Sequence, residues 1–266
     1  MSRNFAIAIL LLWVGAVLIE PLLQTTPERI HLEAILSPPS FDYLLGNDTL
    51  GRSVAERLLS GARVALLVSV VTVLISAVAG TLLGAISGYV GGFTDTIISR
   101  IIDVMLAFPG ILLAIALAAI LGPGIDNLVI AISVVGWVGY ARLARAQALS
   151  LKQREHVTAA IALGSRQGRI ILRHIIPLML APLLVEASFG IAAVIVAEAG
   201  LSFLGLGVQP PQASWGSMIR EGAQFLLVAP HLAIFPGLAI FLVVLSANLF
   251  GDWLRSRLDV REQRIP

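Results

Sequence analysis

Two carboxylates in an otherwise apolar run are the first candidates for chemistry. Glu186 and Glu198 lie within residues 178–206, where almost every neighbour is hydrophobic or small. An ionisable group in such a stretch is a functional candidate because its burial is costly. On one helix the two would stand roughly 18 Å apart along the axis and about 120° apart around it, so they cannot form one acid–base site. Glu198 falls near the end of the run. Glu186 is deeper and could face a polar pathway, pair with a second subunit or make a helix-packing hydrogen bond. The four histidines, His31, His156, His174 and His231, are dispersed, and there is no cysteine. Disulfides, thiolate metal sites and thiol catalysis therefore drop out together, and no metal ligand set is expected. The sequence contains no Gly-x-Ser-x-Gly, His-Glu-x-x-His or P-loop pattern, which leaves a hydrolase or an ATPase centre without its usual residues. The remaining polar concentration is residues 152–174, KQREHVTAAIALGSRQGRIILRH, a charged interruption between long apolar stretches. Its chemistry is that of a surface on which something docks.

The elements that must position these residues are membrane spans. Of the 266 residues, 58% are hydrophobic and 13% charged, with a mean hydropathy of +0.93, against roughly 45–50% and about 25% in soluble domains. A net charge of +2 does not indicate a nucleic-acid partner. About 20 apolar residues cross the hydrocarbon core, and six such stretches are predicted. The first is 5–23, read as an uncleaved span because no small-residue cleavage site follows Ile19. The second is the clearest, with no charge between Val64 and Thr94. The third, 97–121, carries Arg100 and Asp103 near its start and ends at Gly122-Pro123-Gly124. The fourth is 128–149, the fifth 178–206 and the sixth 231–254. The apolar runs are continuous and do not alternate, which excludes a β-barrel and leaves an all-α membrane protein. In the second span Gly80, Gly84 and Gly88 give two small-xxx-small steps, a close-packing surface for a helix of this chain or of another subunit.

Six spans put both termini on one side. Thirteen of the eighteen lysines and arginines fall on that side together with residues 152–174, and five (Arg29, Arg52, Arg57, Arg63 and Arg220) on the other. The positive-inside rule makes the first side cytoplasmic. This gives an N-terminal helix (1–23), an extracytoplasmic segment (24–63) whose 52–63 part is expected to be a separate interfacial helix, a core (64–254) with a cytoplasmic loop (152–177) and an outer loop (207–230), and a basic tail (255–266) suited to the inner surface potential. In the outer loop, Trp215, Met218, Ile219 and Phe225 supply apolar weight. They fit either a cap over a pathway or an interfacial loop anchored by Trp215.

Within the charged interruption, residues 154–163 are predicted helical. Val157, Ala160, Ile161 and Gly164 follow an i, i+3, i+4, i+7 spacing and would share one face. Ala159 and Ala160 are small enough to admit a close surface, Gly164 suits a C-cap, and Ser165 is expected to N-cap a second, basic helix ending near Pro177. On spacing alone, an ordinary basic interfacial loop and a docking element fit equally well.

The residues themselves tip that balance. Thr158-Ala159-Ala160, three residues, Gly164, then a run closing in Ile176-Pro177 resembles the EAA loop of permease subunits of ATP-binding-cassette importers, with Thr158 where the family usually has Glu. Gly46-Asn47-Asp48-Thr49-Leu50-Gly51-Arg52, Arg142-Leu143-Ala144-Arg145, Gln153-Arg154-Glu155, Arg173-His174-Ile175-Ile176-Pro177, the segment 198–207, Trp215-Gly216-Ser217-Met218-Ile219 and Asn248-Leu249-Phe250-Gly251-Asp252 extend the resemblance over about residues 41–260. They narrow it to the C-type permease of dipeptide, oligopeptide and nickel importers. The resemblance implies an extra N-terminal helix before a five-helix type I importer core, in a bacterial inner membrane. It also implies a homologous second permease, two cytoplasmic ATPase subunits that hold ATP and Mg2+, and an extracytoplasmic binding protein. This chain would then be no enzyme and bind no cofactor. Thr158, Ala159, Ala160, Ile161, Leu163, Gly164 and Arg169 would contact the ATPase, and Glu186, Trp215, Met218 and Ile219 become pathway or outer-loop candidates. The rival readings are an ion-gradient-driven secondary transporter, for which no internal repeat is found, a membrane-embedded hydrolase and a pure scaffold subunit.

Overall fold

The computed structural model describes residues 2–23 and 25–258. Its helices, in chain order, are α1 (Ser2–Ile19), α2 (Val54–Val90), α3 (Gly92–Leu106), α4 (Gly110–Leu121), α5 (Ile125–Leu151), α6 (Glu155–Ala162), α7 (Gln167–Ile170), α8 (Leu180–Phe203), α9 (Trp215–Ala223) and α10 (His231–Leu258). Among the described residues no strand forms beyond a single bridge between Asn47 and Ser53. Five helices are long and apolar enough to cross a membrane, and the bent pair α3–α4 makes a sixth crossing if it counts as one span. The basic tail lies outside the described residues from 259 onward, Arg261 and Arg264 included.

Two predicted boundaries change. Residues 54–63 form no separate interfacial helix: they are the start of α2, a continuous helix of 37 residues. Ser53 caps it, its hydroxyl accepting from the Glu56 amide, and the apolar run that follows gives the helix no reason to stop. At about 55 Å it outreaches the hydrocarbon core of about 30 Å. The predicted third span is broken. α3 and α4 meet at 87° across residues 107–109, where Pro109 precedes the first residue of α4. A proline ring clashes with the carbonyl four residues back and removes a donor, so the helix ends there instead of running through to Gly122.

The bundle is built on the α2–α5 pair, and the glycines of α2 explain why. A Cβ at Gly80 would lie 2.3 Å from the Trp137 carbonyl oxygen, at Gly84 2.2 Å from that of Ala141, and at Gly88 2.5 Å from that of Arg145. Only hydrogen fits there, so the close-packing stripe is spent within the chain. At the end carrying α6, Asp95 of α3 accepts a two-pronged ion pair from Arg145 of α5 (2.6 and 2.7 Å) and a bond from the Ser87 hydroxyl, while Lys152 donates to the Gly88 carbonyl at 3.1 Å. These bonds hold α2, α3 and α5 together at that end. At the other end the α1 indole of Trp13 donates to the Ala62 carbonyl at 3.1 Å and stands 6.3 Å from the Trp215 ring, which ties α1 to α2 and α9.

Candidate functional site

The charged interruption folds as two short helices joined by a glycine turn. Gly164 adopts φ +76°. The Ser165 amide donates to the Ala160 carbonyl at 3.0 Å and the Gly164 amide to the Ile161 carbonyl at 2.9 Å. This pair of bonds is the Schellman closure of α6, and it uses a backbone shape that costs any residue with a Cβ. It also takes up the Ser165 amide. α7 begins only at Gln167, so its N-cap position falls on Arg166, with no side-chain bond, in place of the Ser165 cap expected from the sequence. The chain does not end its helix near Pro177. It passes through a π turn (Ile171–Ile175) and a 3-10 turn (Ile176–Met179) directly into α8, with Pro177 in the first turn where its missing N–H needs no partner. Ile175 and Met179 are fully buried, so α6 and α7 are fastened to the root of α8.

Exposure divides α6 into two sides. Val157 and Ala160 are buried in one cluster with Leu151, Ile170, Ile171 and Ile175. Thr158, Ala159, Ile161, Leu163 and Gly164 face outward, with Ile161 51% and Leu163 86% exposed. The periodicity groups Val157, Ala160, Ile161 and Gly164; Ile161 falls outside the narrow buried stripe, and Gly164 lies beyond the end of α6 at Ala162. The two alanines also separate: Ala160 lets α6 lie close on the bundle, and Ala159 leaves the outer side shallow. The Thr158 hydroxyl donates back to the Arg154 carbonyl at 3.3 Å. Arg169 is exposed on α7.

Glu186 and Glu198 occupy different environments. Glu198 is 1% exposed. It accepts from the Ser202 hydroxyl at 2.7 Å, and that oxygen accepts from the Val208 amide at 3.3 Å, so Glu198 fastens the chain leaving α8. Glu186 is half-buried and borders two grooves. One, of about 670 Å3, starts at the α6 end beside Leu151, Arg154, Arg255 and Leu258 and runs between α5, α8 and α10 to Glu186. The other, of about 430 Å3, is lined from α2, α4, α5 and α8 and reaches Glu186 from the opposite direction.

Trp215 and Met218 are core residues of the outer loop within this chain. They are 2% and 4% exposed, packed in one cluster with Trp13, Ala62 and Ile195, and the Trp215 indole donates to the Leu58 carbonyl at 3.0 Å; Ile219 is half-buried. The cause is Gly216, whose Cβ would stand 2.3 Å from the Ala199 carbonyl oxygen, so α9 presses flat on α8. Beside it lies a charge cluster that sequence reasoning missed. Asp48 accepts from Arg52 Nε at 2.7 Å and from Arg57 Nη1; Glu221 accepts from Arg57 Nη1 at 2.7 Å, Arg57 Nη2 at 3.1 Å and Arg52 Nη2 at 3.2 Å. Asp48 Oδ1 also takes the Leu50 and Arg52 amides, both at 2.9 Å. The local signal was the Gly46–Arg52 motif; Glu221 carried no signal because it is 164 residues from Arg57.

The family of binding-protein-dependent transport system inner membrane components matches residues 80–263, a span that runs from the glycines of α2 through α6 and α8 to the end of α10. The chain belongs to this family. It is a multi-pass inner-membrane protein, and the resemblance carried by the Thr158–Pro177 region and its flanking motifs reflects membership. A glutathione transport system permease protein GsiD from Pectobacterium atrosepticum is 46% identical over 83% of this chain and 73% of its own length. A dipeptide transport system permease protein DppC from Alkalihalophilus pseudofirmus is 46% identical over 84% and 74%. A GsiD from Escherichia coli O6:K15:H31 is 43% identical over 97% and 86%. These relatives of the inner-membrane component are named as permease proteins.

Proposed function

We propose that this inner-membrane component is one of two permease subunits of an ATP-driven importer for small peptides, of dipeptide or glutathione size. The relatives named for dipeptide and glutathione transport support the substrate class. The observation that carries the coupling role is the outer side of α6. Small and apolar side chains, Ala159, Ile161 and Leu163, are presented to the exterior by a helix whose other side is buried and whose end is locked at Gly164. Exposed apolar groups in this arrangement fit a groove on a partner, here an ATP-binding-cassette ATPase subunit in the cytoplasm, with Thr158, Gly164 and Arg169 at the edge of the contact. The distribution of lysine and arginine supports the cytoplasmic orientation of α6.

In this mechanism the chain makes and breaks no covalent bond. ATP and Mg2+ are held by the ATPase subunits, a binding protein delivers peptide from outside, and closure of the ATPase pair displaces α6. Because α6 and α7 continue into α8, that displacement reaches the helix carrying Glu186, and the groove between α5, α8 and α10 opens or closes at the α6 end. The second permease supplies the facing half of the pathway. The test is uptake of radiolabelled dipeptide and glutathione into proteoliposomes holding the complete transporter. Uptake that requires ATP, both ATPase subunits and binding protein is the expected result. Uptake that persists without the ATPase subunits and follows an ion gradient would establish the secondary-transporter reading instead.

A further inference from the structure

We infer that Glu186, Tyr140 and Ser76 form a station for the ammonium group of the transported peptide. The inference rests on the importer reading. Two hydroxyls in the second groove are orphaned: Ser76 is 2% and Tyr140 4% exposed, and neither Ser76 Oγ nor the Tyr140 hydroxyl has a hydrogen-bond partner. A buried hydroxyl with no partner costs on the order of 1–3 kcal/mol, and native structures rarely leave one unexplained. Both belong to the lining of the groove that Glu186 also lines, so a turn of either side chain toward the groove brings its hydroxyl to a partner there.

Three glycines let these polar atoms sit against the helix backbone. A Cβ at Gly136 would lie 2.7 Å from Ser76 Oγ, one at Gly190 2.6 Å from the Tyr140 hydroxyl, and one at Gly139 3.2 Å from Glu186 Oε1. Each polar atom thus has a position without a side chain directly beside it, on α5 or on α8. Glycine within a helix costs about 0.5–1 kcal/mol relative to alanine, so three such positions against three polar groups mark places where a Cβ would displace the polar atom.

The chemistry of the three groups selects the ligand. A carboxylate and two hydroxyl oxygens offer three acceptors, and an alkylammonium carries three donors. Glu186 is the one charged residue among those lining the second groove, so the site attracts a cation and repels a carboxylate. The rest of the lining, including Val73, Ile111, Ile132 and Val194, is apolar and accepts side chains of any hydrocarbon character. Every peptide with a free amino group presents an ammonium whatever its side chains are, so a station of this kind accepts many sequences. The two grooves, about 670 and 430 Å3, fall within the roughly 300–1,000 Å3 of small-molecule sites and meet at Glu186, where a peptide passing from one to the other must cross.

The test uses the complete transporter in proteoliposomes, with a dipeptide and its des-amino analogue, each supplied at a concentration that saturates the binding protein. Glu186→Gln is expected to lower uptake of the amine-bearing peptide roughly tenfold to a hundredfold, the range of a lost bond to a charged group, and to leave uptake of the des-amino analogue within about twofold. Tyr140→Phe and Gly190→Ala, which delete or displace the same hydroxyl, are expected to follow with roughly threefold to tenfold losses confined to the amine-bearing peptide. Direct binding of both peptides to the detergent-solubilised complex without binding protein reads the same contrast when delivery of the analogue is poor. Stimulated ATP hydrolysis by each variant reports correct assembly. Equal losses on both peptides, or no loss on either, overturn the station and assign Glu186 to a contact with the second permease or to helix packing. A wild-type complex that imports neither peptide removes the importer reading first and the station with it.

Discussion

Replacement of Gly164 isolates backbone geometry from every other contribution to coupling. A Cβ at this position would meet nothing within 4 Å, while the residue stands at φ +76°. The cost of substitution is therefore conformational and not steric, about 1–2 kcal/mol for an L-residue forced into the left-handed region. That corresponds to a factor of about 5–30 in the population of the closed turn. Asparagine tolerates the region, so Gly164→Asn is expected to be nearly silent, Gly164→Ala intermediate, and Gly164→Val, which is β-branched, the most severe. Because the turn is exposed and ends a helix of eight residues, thermal stability of the complex should change little. The effect belongs in the number of peptides imported per ATP hydrolysed, which should fall by the factor above for Gly164→Val. Thr158→Ala removes only an exposed bond to the Arg154 carbonyl and is expected to change that ratio by less than about twofold. Equal, mild effects at both positions, or an asparagine variant as impaired as the valine variant, would show that the left-handed turn at Gly164 does not carry coupling.

Two further outcomes follow from packing at the other end and along α2. Asp48→Ala strands the buried Arg57, 2% exposed, beside a single remaining carboxylate, and is expected to destabilise by about 3–5 kcal/mol, read as a lower unfolding temperature in detergent; an unchanged midpoint would show the cluster to be inconsequential. Gly84→Val places a side chain 2.2 Å from the Ala141 carbonyl oxygen and should prevent accumulation of folded protein, whereas Gly200→Ala, with nothing within 4 Å of its Cβ, should be neutral or stabilising by up to about 1 kcal/mol. Similar yields of the two variants would contradict the α2–α5 packing described above.

What the sequence made legible, and what it did not, follows physical range. Apolar runs located five long helices because burial in lipid demands uninterrupted hydrophobicity, and the charge-poor stretch after Val64 left no ambiguity. The break at Pro109 was signalled locally, but the stronger Gly122-Pro123-Gly124 signal drew the boundary to the far end of the stretch. Gly80, Gly84 and Gly88 announced a close contact without naming α5, since a small residue records proximity and not the identity of the neighbour. The Gly164 turn could be read because its requirement is local. The splitting of Ala159 from Ala160 could not, because it depends on which side Ile170 and Ile175 approach from. Trp215 and Met218 read as the apolar weight of a loop, and only the tertiary approach of α9 to α8 at Gly216 turned them into core. Tyr140 and Ser76 carry no sequence signal of their own. Their meaning arises from Gly136, Gly139 and Gly190, which the fold brings beside them and Glu186.

The central claim is that the outer side of α6 docks on an ATPase subunit, and the chain offers a clean background for testing it because it contains no cysteine. Single cysteines at Ala159, Ile161 and Leu163, with Val157 as the buried control, can each carry a short photoactivatable cross-linker in the assembled transporter. Docking of α6 predicts covalent adducts with the ATPase subunit from the three outward positions, none from position 157, and loss of adducts when the ATPase subunits are omitted. Adducts from position 157, or none from positions 161 and 163 in a complex that hydrolyses ATP, would contradict it.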